Sequence, residues 1–169
     1  MRYASIRSLD VTNGEGVGVS LFVQGCHFRC KNCFNPETWD FNGGKEWTED
    51  VEKQFLELVS KPYIKRVSIL GGEPLANENQ YNIFLLCNKI KNTFPNKKIW
   101  LYTGYTFEKI IQSREKTKPL CCVDVLVDGQ YVDKQRDITL PFAGSRNQRL
   151  IDVKETLKQN QIVLYNTTK

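Results

Sequence analysis

Short, nearly continuous apolar runs alternate along this chain with longer stretches whose apolar positions recur at helical spacing, the pattern of buried strands joined by helices. Residues 17–24 form the first such run and read as a buried strand. Thr48, followed by Glu49, Asp50 and Glu52, supplies a cap and an acidic first turn, so residues 48–59 read as a helix with Pro62 just past its end. Residues 66–70 predict a second strand, which runs into the turn Gly71-Gly72-Glu73-Pro74. A helix over residues 79–93 stops at Phe94-Pro95. A third strand at 99–102 precedes Thr103-Gly104-Tyr105, and a short helix follows around 107–111. Residues 123–128 make a further strand closed by Gly129; the tail adds a helix near 152–158 and an apolar run at 161–165. Strands separated by helices of this length predict βαβ units and a parallel sheet. The units are too few for a closed eight-fold barrel, so the expected fold is α/β, an open or partial (β/α) barrel. No repeat or linker divides the chain, and residues 1–169 read as a single domain.

Composition narrows the class only mildly. Hydrophobic content of 40% with 25% charged residues is that of a soluble globular protein. No apolar run approaches the roughly 20 residues that span a bilayer, and residues 1–8 lack the apolar core of a signal peptide. The expected location is therefore cytoplasmic, without a membrane partner. A net charge of +5 reads as a solvated surface, suited at most to an acidic electron-carrier protein. No dense Lys/Arg block alternates with aromatics, so no nucleic-acid partner is expected. Trp39, Trp47 and Trp100 read as core or interface residues.

The cysteines carry the chemistry. Cys26, Cys30 and Cys33 lie within eight residues, directly after the first predicted strand, with no fourth cysteine near. A cubane iron–sulfur cluster normally takes four thiolates, one per iron, so three from one loop would leave one iron open to a ligand. Zinc is the alternative, and a closed zinc site wants four donors. His27, the one histidine, is a poor fourth because it adjoins Cys26; it reads as packing or hydrogen bonding within the loop. The other three cysteines fit thiols better than disulfides. Cys87 lies in a helical pattern and reads as core. Cys121 and Cys122, taken as part of a strand, would point to opposite faces and could not serve one metal together.

The second signal is Gly71-Gly72-Glu73-Pro74 at a strand end. Paired glycines let backbone approach a ligand closely, and free backbone N–H and C=O groups can grip an ammonium or carboxylate. Glu73 adds an acceptor for an amine. Alone, the motif is also an ordinary strand-to-helix turn. Beside an open iron, it suggests a site for a ligand resembling an amino acid.

Together these segments resemble the radical S-adenosylmethionine superfamily and, within it, the family that activates anaerobic ribonucleoside-triphosphate reductase. Residues 11–16, 21–26, 33–39, 102–105, 125–129 and 144–149 extend the likeness in order over most of the chain. One departure is Asn32, where many superfamily members carry an aromatic residue; here the aromatic Phe34 follows Cys33 instead. The resemblance implies a partial barrel of the radical S-adenosylmethionine type, with Cys26, Cys30 and Cys33 each holding one iron of a [4Fe-4S] cluster. S-adenosylmethionine would chelate the fourth iron through its amine and carboxylate. Gly71, Gly72 and Glu73 would orient that amine, backbone from Asn32 through Cys33 to Phe34 would border the adenosyl part, and Thr103 would line the same pocket. One electron delivered to the sulfonium would then yield a 5′-deoxyadenosyl radical, which takes a hydrogen atom from a glycine of the reductase large subunit. Reduced flavodoxin or ferredoxin is the expected electron donor. No general acid or base is needed, and Asp128 with residues 145–149 would at most frame the mouth. Two other readings stand beside this one: a non-catalytic adaptor with zinc in the cysteine loop, and a radical enzyme acting on a different substrate.

Overall fold

The computed structural model describes residues 1–167. Its strands are β1 (Arg2–Asp10), β2 (Gly18–Val23), β3 (Lys45–Glu46), β4 (Arg66–Gly71), β5 (Lys98–Tyr102), β6 (Val125–Asp128) and β7 (Arg149–Asp152). Its helices are α1 (Glu49–Ser60), α2 (Gln80–Thr93), α3 (Phe107–Ile110), α4 (Arg114–Thr117) and α5 (Val153–Gln159). The strands form one sheet in the order β3-β1-β2-β4-β5-β6-β7. Its edges, β3 and β7, do not pair, so the sheet is open.

The predicted strands and longer helices are present, and local chemistry accounts for their ends. The Thr48 hydroxyl accepts from the Val51 amide to start α1, and the Asp152 carboxylate accepts from the Glu155 amide to start α5. Helix α2 ends at Phe94, immediately before Pro95. The four central strands β2, β4, β5 and β6 run parallel; β2 and β6 are buried throughout, as interior parallel strands must be.

The expected parallel sheet is present at the centre, but the strands that flank it are antiparallel. β1 pairs antiparallel with β2 and β3, and β7 pairs antiparallel with β6. Neither β1 nor β7 was foreseen as a strand. Antiparallel pairing needs no crossover helix, so half-exposed, polar segments near both ends of the chain can add to the sheet edges. The apolar run at 161–165 lies beside β7, where the Asp152 and Tyr165 amides bond to the Val163 and Leu150 carbonyls.

Cys121 and Cys122 also differ from expectation. They belong to a 3-10 turn, Lys118–Cys121, and its cap rather than to a strand. Pro119 presets the helical φ there, and the Cys122 amide bonds back to the Pro119 carbonyl. Their Sγ atoms lie side by side at 3.4 Å.

The two faces of the sheet differ in kind. On one, Val19, Leu21, Val67, Ile69, Ile99, Leu101 and Leu126 pack against Phe55 and Val59 of α1 and Ile83, Leu86, Cys87 and Ile90 of α2. On the other, Trp100, Val125 and Val127 meet Tyr102, Phe142, Leu150 and Tyr165. That second face also holds Arg66, which is 1% exposed. Its guanidinium donates to the Ser68 hydroxyl at 2.6 Å and to the Asp10 carboxylate at 3.0 Å. Burial raises the Asp10 pKa, yet hydrogen bonds from Asn13, Arg66 and Thr12 outweigh it and hold the carboxyl far below its ordinary range. A side chain at Gly18 would strike the Arg66 guanidinium.

Removing one partner of a buried ion pair leaves the other charge without compensation. Asp10→Ala is expected to cost about 3–5 kcal/mol in urea denaturation. The double change Asp10→Ala with Arg66→Met should cost clearly less than the sum of the two singles. Strict additivity would show that the pair is not coupled.

Candidate functional site

The carboxyl ends of β2, β4, β5 and β6 open on the same edge of the sheet, where α/β folds place ligands. Beyond β2 the chain turns through Gln24 and Gly25 into the cysteine loop. The Gln24 amide side chain donates to the Glu37 and Asp40 carbonyls at 3.0 and 2.8 Å. The Gly25 and Cys26 amides bond to the Thr38 and Trp39 carbonyls. The loop is thus folded back on itself before it presents a thiol. Beyond β4, the Gly72 amide reaches the Val23 carbonyl at 2.9 Å and the Glu73 amide reaches the Gly25 carbonyl at 2.7 Å. A Cβ on Gly72 would collide with that Gly25 carbonyl, and Gly71 adopts φ +102, a region that favours glycine. Asn79, buried at the start of α2, donates to both the Gln24 and Glu73 carbonyls.

These ties bring Cys26, Cys30, Cys33, Phe34, Gly71, Gly72, Glu73 and Thr103 to the wall of one cavity of about 490 Å³, a size that suits a small ligand. Asn32 is not in that wall. It sits at φ +55, and its side-chain amide donates to Asp133 at 2.9 Å. Among the described residues no three His, Cys, Asp or Glu side chains converge as donors to a single ion. The three thiols are instead spread along the loop that rims the cavity.

Burial pushes the Cys26 thiol up to about 11, with the neighbouring Glu73 charge adding to the effect; burial likewise raises Cys30. A thiolate is the metal ligand, so a nearby cation would have to compensate the lost solvation for these groups to serve as ligands. Glu73 is 1% exposed. Its carboxylate accepts from the Leu75 amide, the Thr103 hydroxyl and the Gly104 amide, each at 2.8 Å. Burial nonetheless raises its pKa to about 7. A carboxylate offers about four lone-pair positions, which leaves one for a ligand.

Other residues fall partly as expected, the tryptophans in packing roles among them, and partly otherwise. His27 bonds outside its loop, to Glu78 at 3.2 Å, and packs on Phe41. Asp128 is fully buried and binds the Phe107 amide and Arg149, which makes it an anchor rather than part of the mouth. Gly144 and Gln148 do line the cavity, whereas Ser145 is buried and accepts a hydrogen bond from the Val132 amide. Trp100 is fully buried, and Trp47 packs on Phe55.

A sequence model of the 4Fe-4S single cluster domain matches residues 12–151. An anaerobic ribonucleoside-triphosphate reductase-activating protein from Vibrio cholerae serotype O1 is 37% identical over 150 residues, covering 88% of this chain and 96% of its own. Proteins of the same name from Enterobacteria phage T4 and Escherichia coli strain K12 are 40% and 35% identical, covering 89% and 88% of this chain and 93% and 96% of their own. The chain belongs to the anaerobic ribonucleoside-triphosphate reductase-activating protein family.

In this activating-protein family member, sequence reasoning missed a second set of cavity residues: Arg7, Asn13, Tyr102, Gly104, Tyr131 and Phe142. Arg7 lies on the unforeseen β1, its guanidinium 4.5 Å from the Phe22 ring centre. Phe34 packs on Tyr131 with Arg136 over its ring. For Tyr102 a signal existed, since an alternating strand that puts Trp100 inward does the same for Tyr102. The residues present fit an iron–sulfur cluster with a small polar cosubstrate. Three thiols rim the cavity, the crossing of Gly72 and Gly25 leaves no space for a side chain, and the buried Tyr102 hydroxyl has no partner among the described residues.

Since Glu73 rises from the ordinary 4.5 to about 7 on folding, the folded state holds that proton longer than the unfolded one. Its contribution to stability is therefore greatest below about 4.5 and is lost as pH rises to about 7. The stability of the wild type relative to Glu73→Gln should fall across that window and level off above it. Parallel profiles in pH-dependent chemical denaturation would contradict the assignment.

Proposed function

We propose that this chain is a glycyl-radical activating enzyme of the radical S-adenosylmethionine type, with the large subunit of anaerobic ribonucleoside-triphosphate reductase as its substrate. One observation carries the reading: three loop thiols and the Gly71-Gly72-Glu73 turn, far apart in sequence, wall the same cavity. Cys26, Cys30 and Cys33 would hold a [4Fe-4S] cluster with one iron left for S-adenosylmethionine. When bound, the cluster and cosubstrate supply a one-electron reductive cleavage whose product abstracts hydrogen from a partner glycine. The protein's own part is positioning and shielding.

Glu73 suits the amine end of the cosubstrate. An ammonium beside it would favour the charged carboxylate and offset the burial that opposes it. Its three intramolecular donors hold it rigid, so the site is formed before the ligand arrives. Thr103 acts through Glu73, orienting the carboxylate from the end of β5. Phe34 and Tyr131 offer apolar surface beside Cys33 for the adenosyl part, with backbone of residues 32–34 bordering it. The open sheet would serve as a partial barrel, its uncovered end admitting a loop of the reductase. A reduced flavodoxin or ferredoxin would supply the electron. Among the described residues no helix is long and apolar enough to cross a membrane, in keeping with the cytoplasmic location proposed here.

The test is anaerobic reconstitution with iron and sulfide, followed by mixing with the reductase, S-adenosylmethionine and reductant. A glycyl radical in the electron paramagnetic resonance spectrum is the expected result; a colourless protein holding one zinc would overturn the proposal. Cys26→Ala, Cys30→Ala and Cys33→Ala should each abolish S-adenosylmethionine cleavage, while Cys87→Ala retains it. Gly72→Val should weaken cosubstrate binding, because its side chain would displace the Gly25 carbonyl.

A further inference from the structure

The turn into β6 carries two thiols that the radical chemistry does not use. Cys121 ends the 3-10 turn Lys118–Cys121 and is exposed, whereas Cys122 is buried. Their sulfurs are 3.4 Å apart, and neither residue lines the cavity. Pro119 and the bond from the Cys122 amide to its carbonyl hold the turn that keeps them together. We propose that Cys121 and Cys122 form a reversible vicinal dithiol–disulfide pair, a modification site for small disulfides of the glutathione class.

The two thiols have unequal roles. Burial and the contact with Cys121 push the Cys122 thiol up to about 12, so Cys122 keeps its proton beside its neighbour's sulfur. Cys121 is the sulfur that solvent reaches. Cys121 gives its proton to solvent, its thiolate attacks one sulfur of the small disulfide, the S–S bond there breaks, and the small thiolate that leaves takes up a proton from solvent. The Cys122 sulfur then attacks the Cys121 sulfur of the mixed disulfide, and its proton leaves with the second small thiol. Two protein thiols are thereby oxidised to one disulfide, and one small disulfide is reduced to two thiols.

The bridge would be a weak one. Consecutive Cα atoms are about 3.8 Å apart, less than the roughly 4.4–6.8 Å usual for bridged cysteines. The eight-membered ring is strained, and strained exposed disulfides are the labile, switch-like kind. Cys87, fully buried on α2 and pushed far up by burial, has no route to solvent and serves as the internal control.

The experiment uses the full, cluster-loaded chain under anaerobic conditions, equilibrated in glutathione buffers of rising oxidised-to-reduced ratio. Samples are then unfolded, alkylated and mapped by mass spectrometry. As the ratio rises, the peptide holding both cysteines should lose both alkyl groups together, lighter by two hydrogens, and dithiothreitol should reverse the change. Cys87 should be alkylated throughout. In Cys122→Ser the reaction should stop at a glutathione adduct on Cys121. Full alkylation of both thiols at every ratio, a persistent glutathione adduct on wild-type Cys121, or a bridge to Cys87 would each overturn the proposal. The wild-type chain alone decides these outcomes, so a variant that folds poorly does not.

Discussion

Two backbone hydrogen bonds hold the site together, from the Gly72 amide to the Val23 carbonyl and from the Glu73 amide to the Gly25 carbonyl. They close the gap between the turn after β4 and the root of the cysteine loop after β2. Only glycine at position 72 permits the approach, because any Cβ there would enter the Gly25 carbonyl. Once the two segments are joined, Asn79 bonds to both at once, and Glu73 reaches across to Thr103 and Gly104. Three successive strand ends thereby become one rigid rim. A site proposed to hold both a cluster and a small cosubstrate would benefit from such preorganisation, since little ordering is left to occur on binding.

The sheet beneath serves two tasks by its two faces. The helix-covered face is apolar and supplies the stability. The other face carries Arg66 with Asp10, then Ser68, Trp100 and Tyr102, and leads up to the cavity. A buried ion pair is weak evidence of stability in itself. Here it fastens β1, through Asp10, to β4 at the centre of the sheet, and so fixes the strand from which Arg7 reaches the cavity.

The six cysteines divide by environment. Cys26, Cys30 and Cys33 rim a cavity and are only partly buried; Cys87 is sealed in the core; Cys121 and Cys122 share a surface turn. Burial raises the thiol pKa of Cys26, Cys87 and Cys122 alike, so burial alone does not distinguish a candidate ligand from a core residue. What distinguishes them is the company each keeps: glycine backbone and a carboxylate around the first group, aliphatic side chains around the second, and another sulfur beside the third.

Local chemistry was legible in the residues themselves. The Thr48 cap, the Phe94-Pro95 stop, the apolar runs of β2, β4 and β6, the three-cysteine loop and the Gly-Gly-Glu-Pro turn all follow from interactions within a few residues of chain. β1 and β7 were not legible, because strands at the flanks of a sheet are held by their neighbours' backbone and need no apolar pattern of their own. The cavity's second set of residues, from Arg7 to Phe142, was hidden for the same reason: lining depends on which strands lie side by side, and that is a long-range choice. So too with Cys121 and Cys122, whose adjacency in sequence said nothing of their sulfurs until Pro119 and the hydrogen bonds of the turn set the backbone. Sequence by itself determined which groups could bind a cluster; the tertiary structure decided which of them share a cavity, because that depends on hydrogen bonds between segments some fifty residues apart, such as the one from Glu73 to Gly25.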